Sequence, residues 1–93
     1  MVYKARIYVT LQPSVLDPAG TAVQKTIVEQ MGIPVQSLRI GKFIEAVIDS
    51  PDQTTAYQTI HQMCEQFLAN TVIEDFCFEL DEIPGVSNTA SNS

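Results

Sequence analysis

The side chains able to serve as nucleophile, base or metal ligand are few: one histidine, His61, and two cysteines, Cys64 and Cys77. His61 and Cys64 stand three apart on a helical stretch, but Cys64 belongs to an apolar stripe and is expected in the core, while His61 falls one position off that stripe and reads as a solvated or rim residue. His61 and Cys77 could be set together as base and nucleophile. The segment around Cys77 is acidic, however, and a thiol needs positive charge nearby to become a ready thiolate. Glu74-Asp75 and Asp81-Glu82 are paired acids, yet neighbours in an extended strand point to opposite faces and cannot converge on one metal ion. Four glycines, Gly20, Gly32, Gly41 and Gly85, are scattered singly, so there is no phosphate-cradling loop and no dinucleotide fingerprint. Together these observations predict a chain with no catalytic residues, no bound cofactor and no metal site.

Charge narrows the choice of partner. The net value is −6, and all five basic residues (Lys4, Arg6, Lys25, Arg39, Lys42) precede position 43. Of the 11 acidic residues only Asp17 and Glu29 do so. Such a chain repels phosphate backbones, which excludes nucleic acid as the natural partner. Gly41-Lys42-Phe43-Ile44 faintly echoes the aromatic motif of RNA-recognition domains, but it supplies one aromatic residue where several are needed. No apolar run approaches the ~18 residues of a membrane span, and the N-terminus lacks the pattern of a signal peptide. A cytoplasmic, soluble chain is the expectation. The charge asymmetry suggests that early and late segments pair with each other, or that two copies do.

The elements that must position these residues emerge from periodicity. Val2–Leu11 alternates, with Tyr3, Ala5, Ile7, Val9 and Leu11 on one face and Lys4, Arg6, Tyr8 and Thr10 on the other, as in a half-buried strand. Asp17 can cap a helix with Pro18 at its first position; Ala19, Val23, Ile27 and Met31 repeat at helical spacing, and Gly32 followed by Ile33-Pro34 ends it. Gly41-Lys42 reads as a hairpin turn between strands at about 36–40 and 43–49, with one long strand bent at Gly41 as the competing reading. Ser50, Pro51 and Gln53 form a capping box for a second helix, whose stripe is Tyr57, Ile60, Cys64, Phe67, Leu68 and Thr71 and whose end suits Asn70. The last strand, Val72–Leu80, places Phe76, Phe78 and Leu80 on one face and Asp75, Cys77 and Glu79 on the other. Residues 84–93 are small and polar and are expected to form a disordered tail behind a single domain of residues 1–83.

The order β-α-β-β-α-β predicts an α+β, ferredoxin-like domain: an antiparallel sheet with two helices on one face. Right-handed crossovers set the last strand beside the first and antiparallel to it, so Lys4 and Arg6 would face Asp75, Glu79 and Asp81. The open sheet face then carries Tyr8, Phe43, Val47, Ile73 and Cys77 among the charges. An apolar patch of this kind marks a protein contact, here self-association into a dimer or tetramer. One end of the sheet collects Asp17, Arg39, Lys42 and Asn70. Turn and cap chemistry explains Asp17 and Asn70. Arg39 and Lys42 instead bring positive charge beside a helix start, where an anion or a partner's acidic side chain would fit.

These same segments carry a family resemblance. Residues 14–24 (Ser14-Val15-Leu16-Asp17-Pro18-Ala19-Gly20-Thr21-Ala22-Val23-Gln24), residues 39–43 (Arg39-Ile40-Gly41-Lys42-Phe43) and residues 68–76 (Leu68-Ala69-Asn70-Thr71-Val72-Ile73-Glu74-Asp75-Phe76) resemble three motifs of the PurS family, the small subunit of phosphoribosylformylglycinamidine synthase. The likeness runs in order from about Tyr3 to Ile83, and the residues after Pro84 depart from it. The resemblance implies a place in purine biosynthesis. The complex converts formylglycinamide ribonucleotide, ATP and glutamine to formylglycinamidine ribonucleotide. A large synthetase subunit uses ATP and magnesium, and a glutaminase subunit releases ammonia. The small subunit bridges the two and shelters ammonia in transit. For that role the end of the sheet that collects Asp17, Arg39, Lys42 and Asn70 is the candidate to contact the large subunit or line the passage. A small-molecule-binding regulatory module of the same fold is the alternative.

Overall fold

Strand β1 (Val2–Leu11) alternates apolar and polar residues along its length, and it becomes the middle strand of the sheet. In the computed structural model, which describes residues 1–84 of the 93, it is flanked by β2 (Lys42–Asp49) on one side and β3 (Glu74–Glu82) on the other. Both pairings are antiparallel, with Ile7 opposite Ile44 in β2 and opposite Phe78 in β3. Helix α1 is Pro18–Met31. Helix α2 is Gln53–Met63 and runs on into one π-helical turn, Cys64–Leu68. The α+β class, the antiparallel sheet and the placing of the last strand beside the first are as expected.

The expected hairpin is absent: residues 32–41 contain no strand, and the sheet is a ferredoxin-like one without its outer strand. The reason lies in where the backbone groups of this segment go. Gln24 donates its side-chain amide to the Val35 carbonyl, and the Ile40 N–H donates to Asp17 Oδ2 at 2.8 Å. A Cβ on Gly20 would stand 2.8 Å from the Leu38 carbonyl, so glycine is what lets the segment lie against the first turn of α1. Backbone groups satisfied by a helix and its cap have no need of a sheet edge.

The core joins Ala5, Ile7 and Val9 of β1 to Ile60 and Cys64, with Ile44, Ala46, Ile48, Leu68, Phe76, Phe78 and Leu80 packed around them. Helix α2 alone supplies the helical side of this core. Helix α1 contributes nothing to it, and Gly20 is its one buried residue. The stripe Ala19, Val23, Ile27 and Met31 therefore forms as a face but does not lie on the sheet. Helix α1 closes on Gly32, whose φ of 68° is the left-handed conformation that glycine adopts without strain.

Two local expectations change at α2. Its cap is Asp52, which accepts from the Thr55 N–H at 2.7 Å, while Ser50 is buried and donates its hydroxyl to the Asp52 carbonyl. At the far end the Ala69 N–H reaches back to the Cys64 carbonyl, the wide spacing of a π turn. The extra residue rotates the side chains beyond it off the buried face. Leu68 meets the core, whereas Phe67 and Thr71, members of the expected stripe, are exposed, as is Tyr57. On the open face Arg6 bonds both Glu79 (3.1 Å) and Asp81 (2.8 Å) of β3. Its fork occupies both acids, so Lys4 turns to Glu45 of β2 at 3.3 Å, and Asp75 lies opposite Thr10. The expected tail lies, save for Pro84, outside the described residues.

This packing separates two apolar residues of the same helical stretch. Ile60→Ala should lower the unfolding free energy by ~2–5 kcal/mol, and Phe67→Ala by less than ~0.5 kcal/mol, in urea titrations followed by circular dichroism. Equal losses would mean that the helix continues as an ordinary α-helix past Cys64.

Candidate functional site

The four residues singled out at one end of the sheet do come together there, through two linked sets of contacts. Asp17 lies beyond the β1 loop and is 5% exposed. Its Oδ1 accepts the Gly20 N–H at 3.0 Å, capping α1, and its Oδ2 accepts the Ile40 N–H. Those two bonds, chiefly the one from Ile40, hold its carboxyl below the usual carboxylate range against the opposing effect of burial, and Arg39 adds to the lowering. Arg39 sends one guanidinium nitrogen, Nη2, to the carbonyls of Leu11 (3.3 Å), Gln12 (2.9 Å) and Val15 (3.2 Å). It is thus the clasp of the loop between β1 and α1.

Lys42 belongs to the second set. Its Nζ donates to the Leu68 carbonyl at 3.4 Å and lies 3.7 Å from the Glu74 carboxylate. Glu74 also accepts the Asn70 N–H at 2.7 Å, and Asn70 Oδ1 accepts from the Val72 N–H. Gln12 joins the sets: its N–H donates to the Ile73 carbonyl and its side-chain amide to the Thr71 carbonyl. Nothing in the sequence marks Gln12 and Glu74 as part of this end. Glu74 reads there as half of a solvated acid pair, and only its register opposite Leu11, one strand away from Lys42, reveals the contact.

The remaining chemistry-bearing residues stay apart. Cys64 is buried, and burial pushes its thiol up, away from thiolate character. The His61 ring packs edge-on against Phe76, and Nδ1 lies 3.6 Å from the Glu65 carboxylate. Cys77 lies opposite Tyr8 on the open sheet face. Among the described residues no group of three or more His, Cys, Asp or Glu is placed to hold a metal ion, and no helix is long and apolar enough to cross a membrane. The open face carries Tyr8, Phe43, Val47, Ile73 and Cys77, all exposed, with the Tyr8 and Phe43 rings 5.2 Å apart. What this arrangement does is fasten three loops at one end of the sheet and present a shaped surface beside them.

The profile of the PurS family, described as phosphoribosylformylglycinamidine (FGAM) synthase, matches residues 4–82. This chain belongs to the PurS family. The PurS subunit of phosphoribosylformylglycinamidine synthase from a Synechocystis species is 56% identical over 84 residues, 89% of this chain and 83% of that one. Its Bacillus subtilis counterpart is 44% identical over 88% of this chain and 96% of its own length. Among solved structures, Bacillus subtilis PurS superposes with a TM-score of 0.77 at 45% identity, covering 86% of this chain and 99% of that one. A chain in the structure of PurLQS from Thermotoga maritima reaches 0.81 at 30% identity, over 87% and 99%. PurS membership thus spans all three segments that carry the resemblance, including the end built by Asp17, Arg39, Lys42 and Asn70.

The Asp17 carboxylate gives a test with a defined sign. A carboxyl whose folded value is lowered stabilises the fold above its unfolded value, about 3.9, and loses that contribution as pH falls through the folded value. Asp17→Asn, which can no longer accept from both N–H groups, should have a lower urea midpoint than wild type at pH 7. The gap should narrow below about pH 4. A gap independent of pH would mean that the ionised carboxylate is not what holds Ile40.

Proposed function

We propose that this chain is the small, non-catalytic subunit of a phosphoribosylformylglycinamidine synthase, acting in purine biosynthesis by bridging a synthetase subunit and a glutaminase subunit. The observation that carries the reading is the PurS match across residues 4–82, joined to the likeness with a chain of PurLQS. The surface agrees with it: the chain offers no convergent catalytic set among its described residues, and it leaves large apolar faces without a partner. In this reading the complex takes formylglycinamide ribonucleotide, ATP and glutamine to formylglycinamidine ribonucleotide. ATP and magnesium are held by the large subunit.

Bridging has a chemical purpose here. Ammonia released from glutamine is protonated in neutral water and is then no nucleophile, so a sheltered route between subunits preserves the reactive form. Self-association belongs to the same reading. The open sheet face (Tyr8, Phe43, Val47, Ile73, Cys77) and the α1 stripe (Val23, Ile27, Met31) are the surfaces that a second copy would cover. The end built on Asp17 and Asn70, with Arg39 and Lys42 as its clasps, is where a larger subunit would sit. A regulatory, small-molecule-binding role retains one favourable feature, a shallow depression of about 470 Å³ lined by Thr10, Leu11, Pro13, Ser37 and Arg39. A ligand there would raise the melting temperature of the isolated chain.

Reconstitution decides between them. Purified synthetase and glutaminase subunits should make product from glutamine when this chain is added and lose most of that activity without it. Added ammonium at alkaline pH should restore much of the synthesis. Full glutamine-dependent activity from the two larger subunits alone would remove the bridging role.

A further inference from the structure

The most exposed large apolar side chains among the described residues are Val72 (81%), Phe67 (79%) and Leu16 (74%). They come from the turn before β3, the π turn and the loop after β1, three segments far apart in sequence. All three segments meet at the same end of the sheet. Gln12 bonds the turn holding Val72, Lys42 bonds the π turn holding Phe67 through the Leu68 carbonyl, and Arg39 bonds the Val15 carbonyl beside Leu16. The polar side chains Arg39, Lys42 and Gln12 are thus engaged with backbone carbonyls of this end, while those three apolar ones stand free of contact with the core. This inverts the usual surface arrangement, and for Phe67 it depends on the extra residue of the π turn.

We propose that Leu16, Phe67 and Val72 form a docking surface for a different, larger protein subunit, whose facing side is an apolar hollow with a carboxylate opposite Arg39. The proposal rests on the assembly reading above and specifies which side chains carry it. Charge selects the occupant. Among the described residues Arg39 has no carboxylate within ion-pair distance, and its Nε and Nη1 make no hydrogen bond. A second copy docked through this same end would offer Arg39 the carboxylates of Asp17, which is buried and already accepts two N–H groups, and Glu74, which already holds Lys42 and the Asn70 N–H. A heterologous surface can bring the missing carboxylate. Arg39 and Lys42 themselves clasp the loops, so reversing their charge would disturb the fold of this end as well as any contact.

The test uses the whole chain carrying Phe67→Ser with Val72→Ser and, separately, Leu16→Ser. Binding to the purified synthetase and glutaminase subunits is measured by biolayer interferometry, self-association by light scattering, and folding by the urea midpoint. Phe43→Ser, on the open sheet face, is the control. We expect at least a tenfold weaker affinity for one of the larger subunits in the end variants, with the mass of the self-associated species and the urea midpoint unchanged. Wild-type affinity for both subunits in the end variants would overturn the docking surface while leaving the assembly reading standing. So would a fall in self-associated mass with hetero-binding intact, since the end would then be a contact between copies. Failure of the wild-type chain itself to bind either subunit would remove the assembly reading and this proposal with it.

Discussion

The carboxylate of Asp17 accepts N–H groups from two places 20 positions apart, Gly20 inside the first turn of α1 and Ile40 at the approach to β2. Both bonds are charge-assisted, the stronger kind of hydrogen bond; the one from Gly20 is buried and the one from Ile40 partly so. Their joint effect is geometric. The start of α1 and the segment returning from its end are fastened at one point, so helix and return strand travel as a pair. Arg39, set next to Ile40 by the same fastening, then gathers the carbonyls of the preceding loop. A glycine at position 20 is what allows so close an approach, because a methyl group there would meet both the Asp17 carboxylate and the Leu38 carbonyl.

That fastening leads to the unusual allotment of apolar surface. Only α2 lies on the sheet, and the α1 stripe is left facing outward. A helix of 14 residues is marginal by itself in water, since propagation barely offsets the entropy of nucleation. Its stability must come from packing, and within one copy most of that packing is missing. The chain is also short enough that a single core buries a modest share of its surface. An apolar helix face that its own sheet leaves bare is a surface that burial against another chain would stabilise.

What the sequence reveals and what it hides divide along a physical line. The alternation of β1 and β3, the Asp17 cap with Pro18 and the stop at Gly32 are legible because each is a local preference repeated at a fixed period. Where residues 36–40 go is not, because strand-like composition loses to hydrogen bonds from Gln24 and Asp17 that no periodicity announces. The π turn has no residue signature, so Phe67 reads as core. The α1 stripe is legible as a face needing cover, yet periodicity cannot name what covers it. At the candidate site Asp17, Arg39, Lys42 and Asn70 do share one end of the sheet, but hydrogen bonds to Asp17 and to the loop carbonyls bring Arg39 there, and the expected hairpin does not form. The topology cannot show that Arg39 is engaged with backbone carbonyls, or that Glu74 and Gln12 share the work.

The central place of β1 also governs how the chain is born. Its partner in β3 is reached only after most of the polypeptide has been made, as in the contact of Arg6 with Glu79, 73 positions later. Pairing over such separations demands that a long loop be closed before any stabilising contact forms, which slows folding. Until β3 emerges, the strand that organises the core has one bare edge. A nascent chain in that state is a target for chaperones and for mispairing with its neighbours on the same message. Synthesis of several copies side by side would turn the same exposure into an opportunity for early assembly.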